Sequence, residues 1–240
     1  MEKRLLEDFV RKYTLGGAIE HVTWESDGSS VSVSATPEDK QVMSFVTAKS
    51  IDIETGDFSI YDTSQLRSLL SVLDDNLNVK VVSEQGIPLA LEFRDESKSR
   101  VKFVLADPQT IPTAPQLPPL KDFEMEISVD DAFMTRFTKG TSALSDVDSF
   151  AVVQSSEGTK FVIGHSDMNT TRISLDVDSV GDTKGTPMFS STHLKNIFLA
   201  NRDSSEAVVK ISDRGIMYIG FEGGEYKCDY YLLRLTSLTV

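Results

Sequence analysis

One cysteine, Cys228, in 240 residues excludes an internal disulfide framework and suits a reducing compartment. Alone on a strand-like stretch, it reads as a small hydrophobe. Histidine is nearly as scarce (His21, His165, His193), and no His or Cys pair has the spacing of metal ligands. His193, near an expected helix start, reads as solvated. Long apolar runs are also missing, and nothing approaches the ~20 apolar residues of a membrane span. The opening Met1-Glu2-Lys3-Arg4-Leu5-Leu6-Glu7-Asp8 is charged where a signal peptide needs an apolar run. A cytoplasmic chain with no membrane partner is therefore expected. Positive charge is in deficit, 24 Lys and Arg against 37 Asp and Glu, for a net charge of -13. Spread evenly, that charge would repel nucleic acid and acidic membranes, so its distribution matters.

What is present reads twice. Five of the eight prolines lie between Asp107 and Leu120, a stretch that neither a helix interior nor a central strand tolerates. It reads as a stiff extended connector, 107–121, between an N-terminal domain, 1–106, and a C-terminal domain, 122–240. The elements on its two sides recur in one register. Leu5, Phe9 and Tyr13 mark a first helix, and Phe133 and Phe137 stand 128 positions after Leu5 and Phe9. Leu66, Leu69 and Leu70 mark a second helix, matched at the same offset by Leu194, Ile197 and Phe198. Asp62, Thr63 and Ser64 sit where its N-cap belongs. Alternating stretches such as Val31 to Ala35 and Lys160 to Ile163 read as strands. Glycine turns at Gly86 and Gly215 read as hairpins. Each half is expected to be a helix, three strands, a helix and three strands, an α+β fold doubled by duplication.

The four expected helices (Met1 to Tyr13, Thr63 to Leu73, Asp130 to Leu144, Ser191 to Arg202) invert the balance of the chain. They hold nine basic residues, Lys3, Arg4, Arg11, Lys12, Arg67, Arg136, Lys139, Lys195 and Arg202, against five acids, Glu2, Glu7, Asp8, Asp130 and Asp131. Each cation alone reads as part of a solvated face. Together, four helices on one side would present a mildly positive surface suited to sequence-independent phosphate contacts.

Catalytic constellations fail on spacing. Ile163-Gly164-His165-Ser166-Asp167 mixes catalytic residue types, but chain neighbours do not make a triad. Asp176 to Gly181 looks like a calcium loop, yet Val180 and Pro187 stand where oxygen ligands are required. Gly181 to Thr186 has the glycines and lysine of a phosphate loop in the wrong order. No catalytic residue, metal or cofactor is expected.

Phe58-Ser59-Ile60-Tyr61-Asp62, the helix with Leu66, Leu70 and Ser71 ending in Asp74-Asp75, and Ala106-Asp107-Pro108-Gln109-Thr110 entering the connector together resemble the sliding clamps of DNA replication, most closely those of T4-type bacteriophages. The resemblance is strongest from Phe58 to Pro119. It implies the DNA-clamp fold: two similar domains, each with two helices on antiparallel sheets. It further implies a homotrimeric ring encircling duplex DNA as a processivity factor in phage replication, with DNA polymerase and clamp loader as partners, in the cytoplasm of an infected bacterial host. Arg4, Arg11, Lys12, Arg67, Arg136, Lys139, Lys195 and Arg202 would then face DNA. Val42, Ile111, Leu117, Leu120 and Leu238 would line a groove for partner peptides, or else pin the connector to the body. Two other readings stay open: a metal-dependent hydrolase or nuclease using Asp146, Asp148 and Asp167, and a structural ring protein of a phage particle.

Overall fold

The computed structural model describes residues 1–113, 116, 122–166, 168 and 170–235. The chain forms two compact units, Met1–Glu38 with Met43–Pro115 and Gly223–Cys228, and Asp39–Val42 with Gln116–Glu222 and Asp229–Val240. The main division, between Pro115 and Gln116, falls inside the proline-rich segment. Leu117 and Leu120 lie outside the described residues, as does Leu238.

The first unit contains α1 (Lys3–Thr14), β1 (Val22–Ser26), β2 (Ser30–Ala35), β3 (Val42–Lys49), β4 (Gly56–Ile60), α2 (Thr63–Leu70), β5 (Asn78–Glu84), β6 (Ile87–Arg94) and β7 (Arg100–Val104). Its strands pair antiparallel in the orders β3-β2-β1-β4 and β5-β6-β7. The buried stripe of α1 is Leu6, Phe9, Val10 and Tyr13. Leu6 takes the inward place expected for Leu5, which stays half-buried. Phe9 meets the rings of Tyr13 and Trp24 edge-on at 5.3 and 5.6 Å, and Trp24 Nε1 donates to Tyr13 Oη at 3.2 Å. Tyr13 Oη also lies 3.4 Å from Thr63 Oγ1, joining α1, β1 and the start of α2 at one buried point. Burial there pushes the Tyr13 phenol well above its ordinary pKa, so it stays a neutral hydrogen-bonding group.

The expected cap of α2 forms: Asp62 accepts from the Gln65 amide at 2.7 Å, while Glu20 accepts from the Ser64 amide at 2.8 Å. Beyond its end, the buried carboxylate of Asp95 accepts from the amides of Asp74 and Ser99 at 3.0 and 2.8 Å. Those bonds hold the Asp95 carboxyl below the usual carboxylate range, the Asp74 amide being the largest cause.

The second unit contains β8 (Met125–Asp130), α3 (Asp131–Ala143), β9 (Ser149–Ser155), β10 (Gly158–Ile163), β11 (Ile173–Val177), β12 (Ser179–Gly181), β13 (Met188–Ser190), α4 (Ser191–Ala200), β14 (Glu206–Ser212), β15 (Ile216–Gly223) up to Glu222, and the part of β16 (Tyr226–Leu233) from Asp229 on, Tyr226 to Cys228 belonging to the first unit. Its strands follow the orders β12-β8-β14-β15-β16 and β11-β10-β9-β13. The core is a phenylalanine cluster: Phe137 and Phe150 lie 5.1 Å apart, as do Phe150 and Phe161, and Phe133 meets Phe161 at 5.4 Å. A Cβ on Gly140 would come within 3.1 Å of Ile163, so glycine lets α3 lie close against β10. Asp130 caps α3 by accepting from the Phe133 amide at 2.7 Å, and Ser190 caps α4 through the His193 amide at 3.2 Å.

The doubling is visible element by element. The starts of α1 and α3, α2 and α4, and β5 and β14 are each separated by 128 residues. The expected count of three strands between the helices is corrected: four separate α1 from α2, and five separate α3 from α4. Both hairpin glycines adopt φ +82, a left-handed conformation that costs glycine little. At Gly86 the preceding Gln85 is also left-handed, giving a two-residue turn whose twist matches its strands.

Candidate nucleic-acid interface

The nine basic residues of the helices, all but Lys3 expected to face DNA, separate into two groups. On α1 the cations are answered by acids of the same helix. Lys3 reaches Glu7 at 3.6 Å, Arg4 reaches Asp8 at 3.6 Å, and Arg11 meets Asp8 at 2.8 Å. These i,i+3 and i,i+4 pairs follow from the order of charges along the helix. Lys12 overturns the expectation for its position. It is 1 % exposed, and its ammonium sits 4.8 Å from the centre of the Tyr226 ring, so it does not present a charge to solvent. Tyr226 Oη donates to the Leu5 carbonyl at 2.9 Å, and this fixes the ring over the helix. The apolar stem of Lys12 lets it serve as part of the packed face.

The other three helices differ. Arg67 on α2, Arg136 and Lys139 on α3, and Arg202 just past the end of α4 are exposed, and Lys195 on α4 is half-exposed. Among the described residues none of these five has an ion-pair partner. The exposed Ser64, Gln65 and Ser68 beside Arg67 on α2 are uncharged, while the carboxylates of Glu20 and Asp62 cap the start of the same helix. Arg136 is more hemmed in: it lines a recess of about 240 Å³ whose walls include Asp130, Asp176, Asp178 and Glu206. Arg67, Lys139, Lys195 and Arg202 are then the cations of the five that do not line that recess. Such a set can hold a phosphate backbone loosely and without base recognition.

Of the five residues named for the peptide groove, Leu117, Leu120 and Leu238 lie outside the described residues, and the other two are buried. Val42 is 0 % exposed and Ile111 is 9 % exposed, so both are packed into the body. An open groove of about 640 Å³ does occur in the second unit, between the β14–β15 turn and the end of β16. Ile216, Leu233 and Leu235 give it apolar walls, and the exposed Arg214 and Arg234 stand on its rim. The Arg234 amide donates to the Gly215 carbonyl at 2.8 Å, tying the two edges together. Asp213, also at the rim, is held by Lys184 at 3.1 Å, and bonds from Lys184, first from its backbone amide, keep its carboxyl below the usual range. Reading the sequence missed this groove because its halves are about twenty residues apart. The only signal was an Arg beside each of two structured ends.

The histidines do not converge. His193 is 7 % exposed, not solvated as expected, and its Nε2 lies 2.8 Å from Asp39 Oδ2. His21 stacks on Tyr61 with ring centres 4.2 Å apart. Asp146 and Asp148 are exposed, and Asp167 lies outside the described residues. Among the described residues no three His, Cys, Asp or Glu side chains form a group able to hold a metal ion, and no helix is long and apolar enough to cross a membrane.

No protein-family model matches the chain, and no curated protein is similar enough in sequence to count as a relative. Its fold is nonetheless that of a solved structure. The crystal structure of proliferating cellular nuclear antigen from Entamoeba histolytica superposes with a TM-score of 0.76 over 98 % of this chain and 97 % of that one, at 14 % identity. The chain has the clamp fold, mixed α+β with four helices on antiparallel sheets.

Proposed function

We propose that the protein is a sliding clamp: a homotrimeric ring that encircles duplex DNA and tethers a replicative polymerase, in the manner of the T4-type phage clamps its sequence resembles. The observation that carries this reading is the combination of a clamp fold over nearly the whole chain with five cations on or just past α2, α3 and α4 that have no ion-pair partner among the described residues. On a chain of net charge -13, charge so placed is suited to touching phosphates, and the rest of the surface to rejecting them.

The mechanism is topological and needs no catalytic group. A closed ring stays on DNA by encirclement, so the cations need only keep the duplex centred while it slides. Arg67, Lys139, Lys195 and Arg202 supply that screened attraction, with Arg136 weakened by its carboxylate neighbours. The groove between Gly215 and Leu235 is the surface for a peptide of the polymerase or the clamp loader: its apolar walls bury side chains, and Arg214 and Arg234 steer acidic flanks. The ring acts in the cytoplasm of a phage-infected bacterium.

Sedimentation equilibrium over a wide concentration range tests the ring. A species of three times the 26.5 kDa chain mass is expected, along with longer primer-extension products from a partner polymerase on circular templates. A strict monomer at every concentration would refute encirclement.

A further inference from the structure

The three-stranded sheet β5-β6-β7 differs between its two faces. Its register sets Val81, Leu91 and Phe103 in one row and Val79, Phe93 and Val101 in the next. These residues are buried, Val79 partly, and α2 packs against β7 on their side. Alternation sends the intervening residues to the opposite face. There the same register makes two polar rows, Asn78-Arg94-Arg100 and Lys80-Glu92-Lys102, and one aliphatic row, Val82-Ala90-Val104. Lys80, Arg94, Arg100 and Lys102 are exposed, Glu92 is half-buried, and Val104 is 69 % exposed.

The polar rows thus hold four cations and one acid, on a chain whose net charge is -13. Among the described residues none of the four has an ion-pair partner. In the β6–β7 turn beside them, Glu96 and Lys98 offset each other in charge. Arg94 and Arg100 stand directly opposite each other, an arrangement that destabilises a sheet and that an anion lying between them relieves. Duplication does not account for the rows. At the 128-residue offset that relates β5 to β14, Lys80 and Glu92 correspond to Val208 and Gly220, which pair in the same way. Asn78 and Arg94 correspond to Glu206 and Glu222. The second unit therefore has acids and apolar residues where the first has cations.

This face lies on the side of the sheet away from α2, so its cations are separate from those assigned to DNA. A single nucleic-acid strand would stack its bases on aromatic side chains, and the three outer rows contain none. An extended peptide fits better. Its alternate residues repeat at about 6.8 Å, which is also the distance between successive rows along the strands. Acids at alternate positions can meet both polar rows, where arginine offers carboxylates paired hydrogen bonds, and an apolar residue can then meet Val104.

We infer that this outer face docks an acidic peptide segment of a partner protein, carboxylates on the two basic rows and an apolar end on Val82 and Val104. The inference goes beyond the ring reading and does not depend on it, because one copy of the first unit carries the whole surface.

The test is fluorescence anisotropy of a short labelled synthetic peptide, titrated with the full chain in ~0.1 M NaCl. The peptide has glutamate at alternate positions in one half, valine at alternate positions in the other, and serine between. This ionic strength screens charges beyond about 10 Å, which mutes the distant acids of the chain and spares contacts on the face. Saturable binding is expected. Lys80→Glu with Lys102→Glu, and Arg94→Glu with Arg100→Glu, should each weaken it about tenfold or more. The neutral pair Lys80→Gln with Lys102→Gln should weaken it severalfold, which covers a failure of the reversed chains to fold. Arg67→Glu with Lys195→Glu should leave it unchanged. Absence of saturable binding, or binding unaltered in both reversed proteins and the neutral pair, would overturn the inference. So would a short oligothymidylate that binds through the same four cations more tightly than the peptide. None of these outcomes touches the ring, which sedimentation tests separately.

Discussion

Lys12 and Arg67 show how much a single position decides. Both were expected to face DNA, yet Lys12 lies under Tyr226 and Arg67 stands among neutral exposed side chains. They should respond oppositely. Lys12→Glu puts a carboxylate against the Tyr226 ring in a packed site and should cost about 3 kcal/mol of stability, which urea denaturation measures. Reversing Arg67, Lys139, Lys195 and Arg202 to glutamate should leave the free energy of unfolding in urea within about 1 kcal/mol of wild type and abolish polymerase stimulation. Unchanged primer extension would show that these cations do not face DNA. Asp95 carries a pH dependence. Its folded carboxyl titrates below the usual range, so on acidification the unfolded chain takes up the proton first. The stability it contributes is complete above the ordinary carboxylate pKa of ~4 and disappears as pH falls through and below that value. Asp95→Asn should therefore be less stable than wild type at pH 7, and the gap should narrow towards pH 2.

Among the elements, the helices were the most legible. Their apolar spacing and capping residues lie within a few positions of one another, so local chemistry suffices to mark them. The Asp62 and Asp130 caps form as bonds of 2.7 Å each, and replacing either by alanine should cost about 1 kcal/mol in thermal or urea unfolding. Phe137, packed on Phe150 and facing Phe161 and Phe198, should cost about 3–5 kcal/mol as alanine. The strands were harder to count. β12 and β13 are three residues each, too short to show an alternation, and exist because β8 and β9 offer them a partner. That is pairing across distant chain, which no local window contains.

For the whole molecule, the proposed function depends on charge placement that only folding brings about. The same α1 that contributes Lys3, Arg4, Arg11 and Lys12 to a sequence count contributes little free positive field, because Glu7 and Asp8 answer it and Tyr226 covers it. The helices of the second unit and Arg67 carry what remains. Binding to duplex DNA by a linear fragment is accordingly expected to be weak and to fall with salt as few phosphates are neutralised, while retention on circular DNA outlasts it. Comparing dissociation from linear and closed circles separates encirclement from affinity. Equal lifetimes on both would refute the topological mechanism.

By itself, the sequence determined the doubled order of elements, the caps and the concentration of basic residues on helices, because periodicity, capping and composition are local properties of the chain. Tertiary structure decided which of those basic residues remain free, that Val42 and Ile111 are buried while Ile216, Leu233 and Leu235 form a groove, and which strands end their sheets. Each of those depends on side chains far apart in the chain coming within a few ångströms, and burial and charge neutralisation act only at that range.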